Sequence, residues 1–214
     1  MIRVTREHSL DDASRAALAS GRAEPALCLF VDTLMEMRGI SEQEGAVLAG
    51  VMLESEAPAA MSPHALDMVF AAIERGGSRP ARPLVYPELD GLPAGLREMI
   101  REAEAKRAWA MAGPGIRRLD LIKDGPLKLE VIRLEAGQSV PWHTHKGNEL
   151  TLCVHGEYAD GLDTYGPGDF SITDGRVRHQ PKAYDAGPAY ALAVTDAGLR
   201  FEGLLGALQR LVGQ

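Results

Sequence analysis

The chain has 214 residues, enough for one large domain or two small ones. Hydrophobic residues make up 45% of it and charged residues 25%, which is typical of a globular protein and excludes global disorder. Its net charge of -7 argues against direct binding to nucleic acid or to an anionic membrane, because both favour basic protein surfaces.

The first 78 residues are predicted to form a small bundle of four amphipathic helices. A first helix ends at Gly21, and the second begins at Pro25 and ends at Gly39. The second helix has apolar positions at helical spacing, namely Leu27, Phe30, Val31 and Leu34. Capping signals start a third helix at Ser41 and a fourth at Ser62. The fourth helix has the apolar face Leu66, Val69, Phe70 and Ile73.

A stretch rich in Gly and Pro, residues 76–83, disfavours both helix and central strand. We therefore predict a helical domain over residues 1–78, a linker over 79–88 and a second domain over 89–214. The second domain is predicted to start with a short helix from about Ala94 to Arg101.

Short alternating segments bounded by turns follow, at a spacing typical of a β-sandwich or barrel. The predicted strands are Ile116–Ile122, Leu127–Leu134, Leu150–Val154, Asp169–Ile172 and Ala189–Val194. Residues 199–212 are predicted to form a closing amphipathic segment. The predicted fold class is therefore α+β with two domains, a helical bundle followed by a β-barrel.

Two segments of the second domain carry residues suited to metal chemistry. His143 and His145 alternate along a strand and point to one face, and a bend lets Glu149 return on the next strand. His179 follows much later, after the turn Gly166-Pro167-Gly168-Asp169. Three imidazoles and a carboxylate suit one divalent metal ion; Zn is favoured, and Fe, Mn and Ni remain alternatives.

Two neighbouring side chains are not expected to bind this ion. Cys153 lies four residues beyond Glu149, about 13 Å along a strand, and His155 lies at the strand end. Because Cys153 and Cys28 are the chain's two cysteines and lie in apolar stretches, we expect reduced, buried thiols. These thiols, an N-terminus without a signal-peptide pattern and the lack of a membrane-length apolar run indicate a cytoplasmic protein.

The spacing G-x₅-H-x-H-x₃-E-x₆-G, followed by G-P-G-D and a later histidine, resembles the two cupin motifs. All of its positions are filled, by Gly137, His143, His145, Glu149, Gly156, Gly166, Gly168 and His179. The resemblance implies a double-stranded β-helix that holds a metal ion inside the barrel.

A wider resemblance runs from about Ser55 to the C-terminus. It includes Glu54–Pro58, the helix from Leu66 to Arg75, Leu92–Ala94, Glu149–Leu152, Tyr165–Asp169 and Ala193–Phe201. Together with the helical domain and the linker, these segments are similar to ChrR-type anti-sigma factors. The resemblance implies that the N-terminal helices hold an extracytoplasmic-function (ECF) sigma factor inactive, and that the cupin acts in its release under oxidative stress.

The chain departs from that family at the N-terminal zinc site. The family carries an early histidine and a His-x₃-Cys-x₂-Cys motif on a helix, whereas Val31–Ile40 here has neither His nor Cys. His8 could supply the early histidine, but with Cys28 alone it cannot complete a four-coordinate site. We therefore expect the helical domain to fold without zinc.

Two further functions stay open beside the regulatory one. A metal-dependent cupin enzyme, dioxygenase-like, could act on an unknown small molecule at open coordination positions. A small-molecule or redox sensor could act through a different protein partner. A homodimer formed through the cupin is also left open.

Overall fold

The structure of the chain is a computed structural model that describes residues 24–40, 62, 64, 66–68, 70–71 and 84–196, and the backbone of 199–201. Most of the predicted four-helix bundle, including the first and third helices, lies outside the described residues, as does most of the closing segment. Among the described residues, no helix has the length and apolar character needed to cross a membrane.

The described chain contains two α-helices and one 3₁₀-helix. Helix α1 spans Pro25–Met37, the 3₁₀-helix spans Pro87–Gly91 and helix α2 spans Ala94–Lys106. The predicted second helix is thereby confirmed, and the helix predicted from Ala94 continues beyond Arg101 to Lys106. Described residues of the predicted fourth helix, 66–68 and 70–71, are also helical.

Eleven strands follow in the described chain. They are β1 Ala110–Gly113, β2 Ile116–Ile122, β3 Lys128–Leu134, β4 His143–His145, β5 Glu149–His155, β6 Tyr158–Ala159, β7 Thr164–Tyr165, β8 Phe170–Thr173, β9 Lys182–Ala183, β10 Ala189–Thr195 and β11 Leu199–Phe201. All five predicted strands are present with boundaries close to those expected. The first three residues of the predicted closing segment form strand β11, which pairs with β4.

The strands form three antiparallel sheets. The largest has six strands in the order β1-β2-β3-β10-β5-β8, and two smaller sheets have the orders β11-β4 and β7-β6-β9. The prediction that many short β-strands follow the helices is confirmed, and the structure shows that they pair in an antiparallel manner. The division into two domains at residues 79–88 stays a prediction.

One face of the six-stranded sheet is largely apolar and packs on the helices. The opposite face combines polar side chains with a second hydrophobic cluster that includes Ile132 and Cys153. The paired residues Val131, Leu192, Leu152 and Phe170 form a row across β3, β10, β5 and β8. All four are buried in one hydrophobic cluster with the helices. The adjacent row, Glu130, Ala193, Thr151 and Ser171, faces the opposite side because side chains alternate along a strand.

Helix α1 packs on the apolar face of this sheet. The ring of Phe30 meets that of Phe170 edge-to-face at 6.4 Å between centroids, and Arg38 Nε donates a hydrogen bond to the Gly168 carbonyl at 3.0 Å. Phe30, Val31 and Leu34 are buried and Leu27 is partly buried, so most of the predicted apolar stripe of this helix is covered in the hydrophobic cluster.

The segment that precedes α2 also packs on the sheet. Leu84 and Leu89 are buried, and the ring of Tyr86 lies 5.1 Å from that of Trp109. The C-terminal end of the predicted linker is thus part of the hydrophobic cluster.

Candidate metal centre

Strand β4 and a bridge to residue 179 bring three histidines together. His143 and His145 lie two residues apart on β4 and share a face, and both are buried. The backbone N–H of His143 donates to the His179 carbonyl and that of His179 donates to the His143 carbonyl, each at 3.1 Å. This pair of bonds brings His179 beside β4 across a long sequence separation.

The three imidazoles converge through their Nε2 atoms. His179 Nε2 lies 2.9 Å from His145 Nε2 and 3.0 Å from His143 Nε2. Two ligands about 2.1 Å from one ion and at right angles to each other lie about 3.0 Å apart, so these separations fit shared coordination. The buried group His143, His145 and His179 could therefore hold a metal ion.

Burial keeps two of these imidazoles neutral. Burial, followed by charge on His179, lowers the pKa of His143 to about 4. It lowers the pKa of His145 to about 3, again with a contribution from His179. His143 Nδ1 lies 2.8 Å from the Pro141 carbonyl oxygen, to which it can donate, leaving the Nε2 lone pair for a metal. Neutral imidazole is the form that binds metal ions.

Glu149, the predicted fourth ligand, borders the histidines at the start of β5. Its Oε2 atom lies 3.2 Å from His145 Nε2, and 7% of the residue is exposed. Burial raises the pKa of its carboxyl to about 7, although His179 acts in the opposite direction. Binding of an ion by all four residues stays a prediction.

The glycine after β5 allows the chain to turn away from the site. Gly156 has φ of +69°, and a Cβ atom there would lie 2.3 Å from the Pro188 carbonyl oxygen. Only glycine fits this backbone without strain. This explains in physical terms why the glycine seven residues beyond Glu149 belongs to the motif.

Cys153 and His155 lie apart from the histidine group. Cys153 is buried among Tyr158 and Tyr165, and burial raises the pKa of its thiol to about 12. Its Sγ atom lies 3.4 Å from the Gly156 carbonyl oxygen, so the residue is a neutral part of the core, as expected. The His155 ring lies 5.7 Å from that of Tyr190.

The expectation of two buried thiols was wrong for Cys28. This residue lies on α1 and is only partly buried. The apolar stripe that packs on the sheet runs through Phe30, Val31 and Leu34, and Cys28 lies beside it rather than on it. Burial, followed by the charge of Asp32, raises the pKa of the Cys28 thiol.

Asp160 was not predicted from the sequence but lies against the site. One of its carboxylate oxygens is 3.6 Å from His179 Nδ1, and the residue is buried. In the sequence, Asp160-Gly161 has the composition of an ordinary turn. Its relation to His179 depends on how the strands pair, which no local pattern reveals.

Comparison with known proteins finds similarity along almost the whole chain. The anti-sigma-E factor ChrR of Cereibacter sphaeroides is 32% identical over 205 residues, covering 94% of this chain and 95% of that protein. No protein-family model matches the chain.

Among solved structures, the fold is similar to a chain in the crystal structure of Rhodobacter sphaeroides SigE in complex with the anti-sigma ChrR. The TM-score is 0.60 at 28% identity, covering 89% of this chain and 99% of that chain. An RmlC-like cupin from Ralstonia eutropha JMP134 matches 49% of this chain and 79% of that chain, with 17% identity and a TM-score of 0.41.

Proposed function

Because the chain belongs to the ChrR family of anti-sigma factors, we propose that it binds an ECF sigma factor and keeps that factor inactive. The observation that carries this proposal is the similarity, over 89% of the chain, to a structure of ChrR in complex with a sigma factor. The alignment with ChrR covers 94% of the chain, so it includes most of the residues predicted to form the N-terminal helices as well as the strands.

The charge and the exposed apolar side chains of the chain are compatible with such a partner. A net charge of -7 complements the basic surfaces that a sigma factor uses on promoter DNA. Leu66 and Phe70, one helical turn apart, are each more than half exposed, at 60% and 55%. Neighbouring exposed apolar residues are typical of protein-interaction surfaces. We therefore place the sigma contact on this helix rather than on the covered stripe of α1.

The barrel is proposed to bind one divalent metal ion through His143, His145, Glu149 and His179, with Zn²⁺ favoured. The convergent Nε2 atoms and the adjacent carboxylate support this set. A bound ion would supply positive charge to a buried carboxylate and join β4, β5 and the segment before β9. The barrel then acts as the sensor of a stress signal or a small ligand.

A path of direct contacts connects the site to helix α1. Glu149 begins β5, whose Leu152 pairs with Phe170 on β8. Phe170 in turn contacts the Phe30 ring of α1, and Arg38 at the end of that helix binds the Gly168 carbonyl. A change of β5 at the metal site can therefore alter how α1 sits on the barrel.

The domain division 1–78, 79–88 and 89–214 is part of the proposal. In it the N-terminal helices bind the sigma factor and the barrel regulates them through α1. The cytoplasm is the proposed location, because that is where a sigma factor meets RNA polymerase.

Co-expression of the full-length protein with an ECF sigma factor from the same genome tests the proposal. We expect the two to co-purify and to elute together in size-exclusion chromatography. Phe70→Asp should weaken the complex because it places a charge on the proposed contact. Met111→Asp is the matched control, since Met111 is 74% exposed but lies on the barrel strand β1.

Failure of the full-length protein to bind any ECF sigma factor of its organism would overturn the regulatory proposal. The metal-dependent cupin enzyme would then become the leading function. Oxygen uptake with a panel of small substrates would test that alternative directly.

A further inference from the structure

The carboxylate of Asp160 is buried, and one of its two oxygen atoms accepts hydrogen bonds within its own loop. The residue follows β6 and is 1% exposed. Its Oδ1 atom accepts hydrogen bonds from the backbone N–H groups of Leu162 and Asp163, at 2.8 and 2.9 Å. Its backbone carbonyl accepts a hydrogen bond from Gln180, the residue after His179, at 2.8 Å. The loop therefore holds this carboxylate at a fixed place beside His179.

The second oxygen of Asp160 faces the far side of the His179 ring. Oδ2 lies 3.6 Å from His179 Nδ1 and accepts a hydrogen bond from the Tyr165 hydroxyl at 3.3 Å. His179 Nε2 points the other way, toward His143 and His145. His179 Nδ1 is buried and has no hydrogen-bond partner within 3.5 Å in the described part of the chain. A ring shift of a few tenths of an ångström would bring it within hydrogen-bond distance of Oδ2.

We propose that Asp160 is a positioning residue that orients His179 and keeps its proton on Nδ1. This inference rests on the proposed metal site. A neutral imidazole carries one N–H, and an ionised carboxylate can only accept, so Asp160 favours the tautomer with a free lone pair on Nε2. That lone pair points at the other two histidines. The Pro141 carbonyl has the same relation to His143 Nδ1, at 2.8 Å.

The carboxylate of Asp160 is well supplied with donors despite its burial. It accepts hydrogen bonds from the backbone N–H groups of Leu162 and Asp163 and from the Tyr165 hydroxyl, and such hydrogen bonds favour the ionised form of a carboxyl group. The residue can therefore offer a negative charge to the far side of the ring. An anionic partner raises the basicity of a metal-binding imidazole, and removal of such partners typically costs about 10- to 100-fold in metal affinity.

The substitution Asp160→Asn separates this role from the role in the loop. The amide oxygen can still accept the two backbone N–H groups, whereas the NH₂ group would then face His179 Nδ1. Two donors cannot face each other, so the ring would have to move its proton to Nε2 or turn away. Asp163→Asn is the matched control, because Asp163 lies in the same loop and its Oδ1 accepts a hydrogen bond from the Thr164 backbone, at 2.8 Å, rather than facing His179.

The test is Zn²⁺ affinity of the full-length protein, measured by competition with a chromophoric chelator, together with the visible spectrum of the Co²⁺ form. Asp160→Asn should lower the affinity about 10- to 100-fold and shift the Co²⁺ spectrum, and Asp163→Asn should change neither. Equal affinity and spectrum in wild type and Asp160→Asn would overturn the inference while leaving the metal site intact. A wild type that binds neither ion would overturn both.

A second measurement applies if the variant does not fold. In the Zn²⁺ form of the wild type, the Nδ1 proton of His179 should give a strongly downfield NMR signal in slow exchange with water, as expected for a donor to a buried carboxylate. A signal near the position for a solvent-exposed imidazole would overturn the inference.

Discussion

At the scale of single residues, the candidate metal site consists of three histidine Nε2 atoms that lie close to one another. Their separations of 2.9 and 3.0 Å fit a shared cation. The low pKa values of His143 and His145 mean that protons do not compete strongly for these nitrogens at neutral pH.

Purified protein should therefore contain about one divalent metal ion per chain. His145→Ala removes the nitrogen that contacts both His179 and Glu149, so its metal content should fall close to zero. His155→Ala should keep the wild-type content, because His155 packs on Tyr190 instead. Elemental analysis measures both. Equal metal content in wild type and His145→Ala would contradict the proposed ligand set.

Glu149 should make the stability of the metal-free protein depend on pH. Its pKa rises from the ordinary value of 4.5 to about 7, so the folded chain holds this proton more tightly than the unfolded chain. The stability that protonated Glu149 contributes is fully present below about pH 4.5 and is lost as pH rises through about 7. A glutamine side chain does not ionise, so a protein with Gln at this position does not lose that stability. Glu149→Gln should therefore be more stable than wild type at pH 8, by about 2 kcal/mol, and show little difference at pH 4.5.

Thermal unfolding in excess chelator at the two pH values measures this difference. The lowered pKa values of His143 and His145 act in the opposite sense, since stability is lost as pH falls from about 6.5 through 4 and 3. They are common to both proteins and cancel in the comparison. Glu157→Gln, on an exposed residue, is the control. A Glu149→Gln protein that is no more stable than wild type at pH 8 would show that the carboxylate is well solvated.

Much of the histidine site could be predicted from residue spacing. His143 and His145 share a face because side chains alternate across a strand, and the glycines in the flanking turns indicated where the motif begins and ends. Asp160 could not be predicted in this way. It approaches His179 through the pairing of β6 with β9 and through its backbone bond to Gln180, which are tertiary contacts.

At the scale of elements, the helices cover one face of the six-stranded sheet. The amphipathic spacing of α1 predicted its length and its buried side chains, but an apolar stripe does not specify the surface that it meets. These side chains were predicted to pack in the core of the helical bundle, and much of that bundle lies outside the described residues. In the described part, Phe30 meets Phe170 of the barrel.

The shortest strands were the hardest to predict. Strands β6, β7 and β9 have two residues each, too few for any alternation to be visible. Strand β1 has an exposed, nearly uniform sequence, Ala-Met-Ala-Gly, without a hydrophobic pattern. A long strand such as β10 was predictable because its larger apolar side chains, Tyr190, Leu192 and Val194, alternate over enough residues for a period of two to be visible.

Phe30→Ala should destabilise the protein by about 3 kcal/mol, because it leaves a cavity between α1 and β8. Phe70→Ala is a matched control on another helical segment and should cost less than about 0.5 kcal/mol, since Phe70 is 55% exposed and Phe30 is 1% exposed. Urea denaturation measures both changes. Equal effects of the two substitutions would mean that α1 does not pack on the sheet.

At the scale of the whole molecule, both the histidine motif and the family could be predicted from the sequence. The histidine spacing indicated a cupin, and scattered segments from Glu54 to Phe201 indicated the ChrR family, which the 32% identity to ChrR confirms. The contact between α1 and the barrel was not predictable, because it depends on how distant parts of the chain meet. This contact would give the proposed sensor a direct route to the helices that are proposed to bind the sigma factor.

Transcription in vitro tests the central claim most directly. RNA polymerase is combined with a cognate ECF sigma factor and a promoter that it recognises, and the full-length protein is added in increasing amounts. Transcription should fall to near zero once the protein equals the sigma factor in concentration. A higher concentration of the Phe70→Asp protein than of the Met111→Asp protein should be needed for the same inhibition. Undiminished transcription at a large excess of the wild-type protein, with every ECF sigma factor of the organism, would contradict the account.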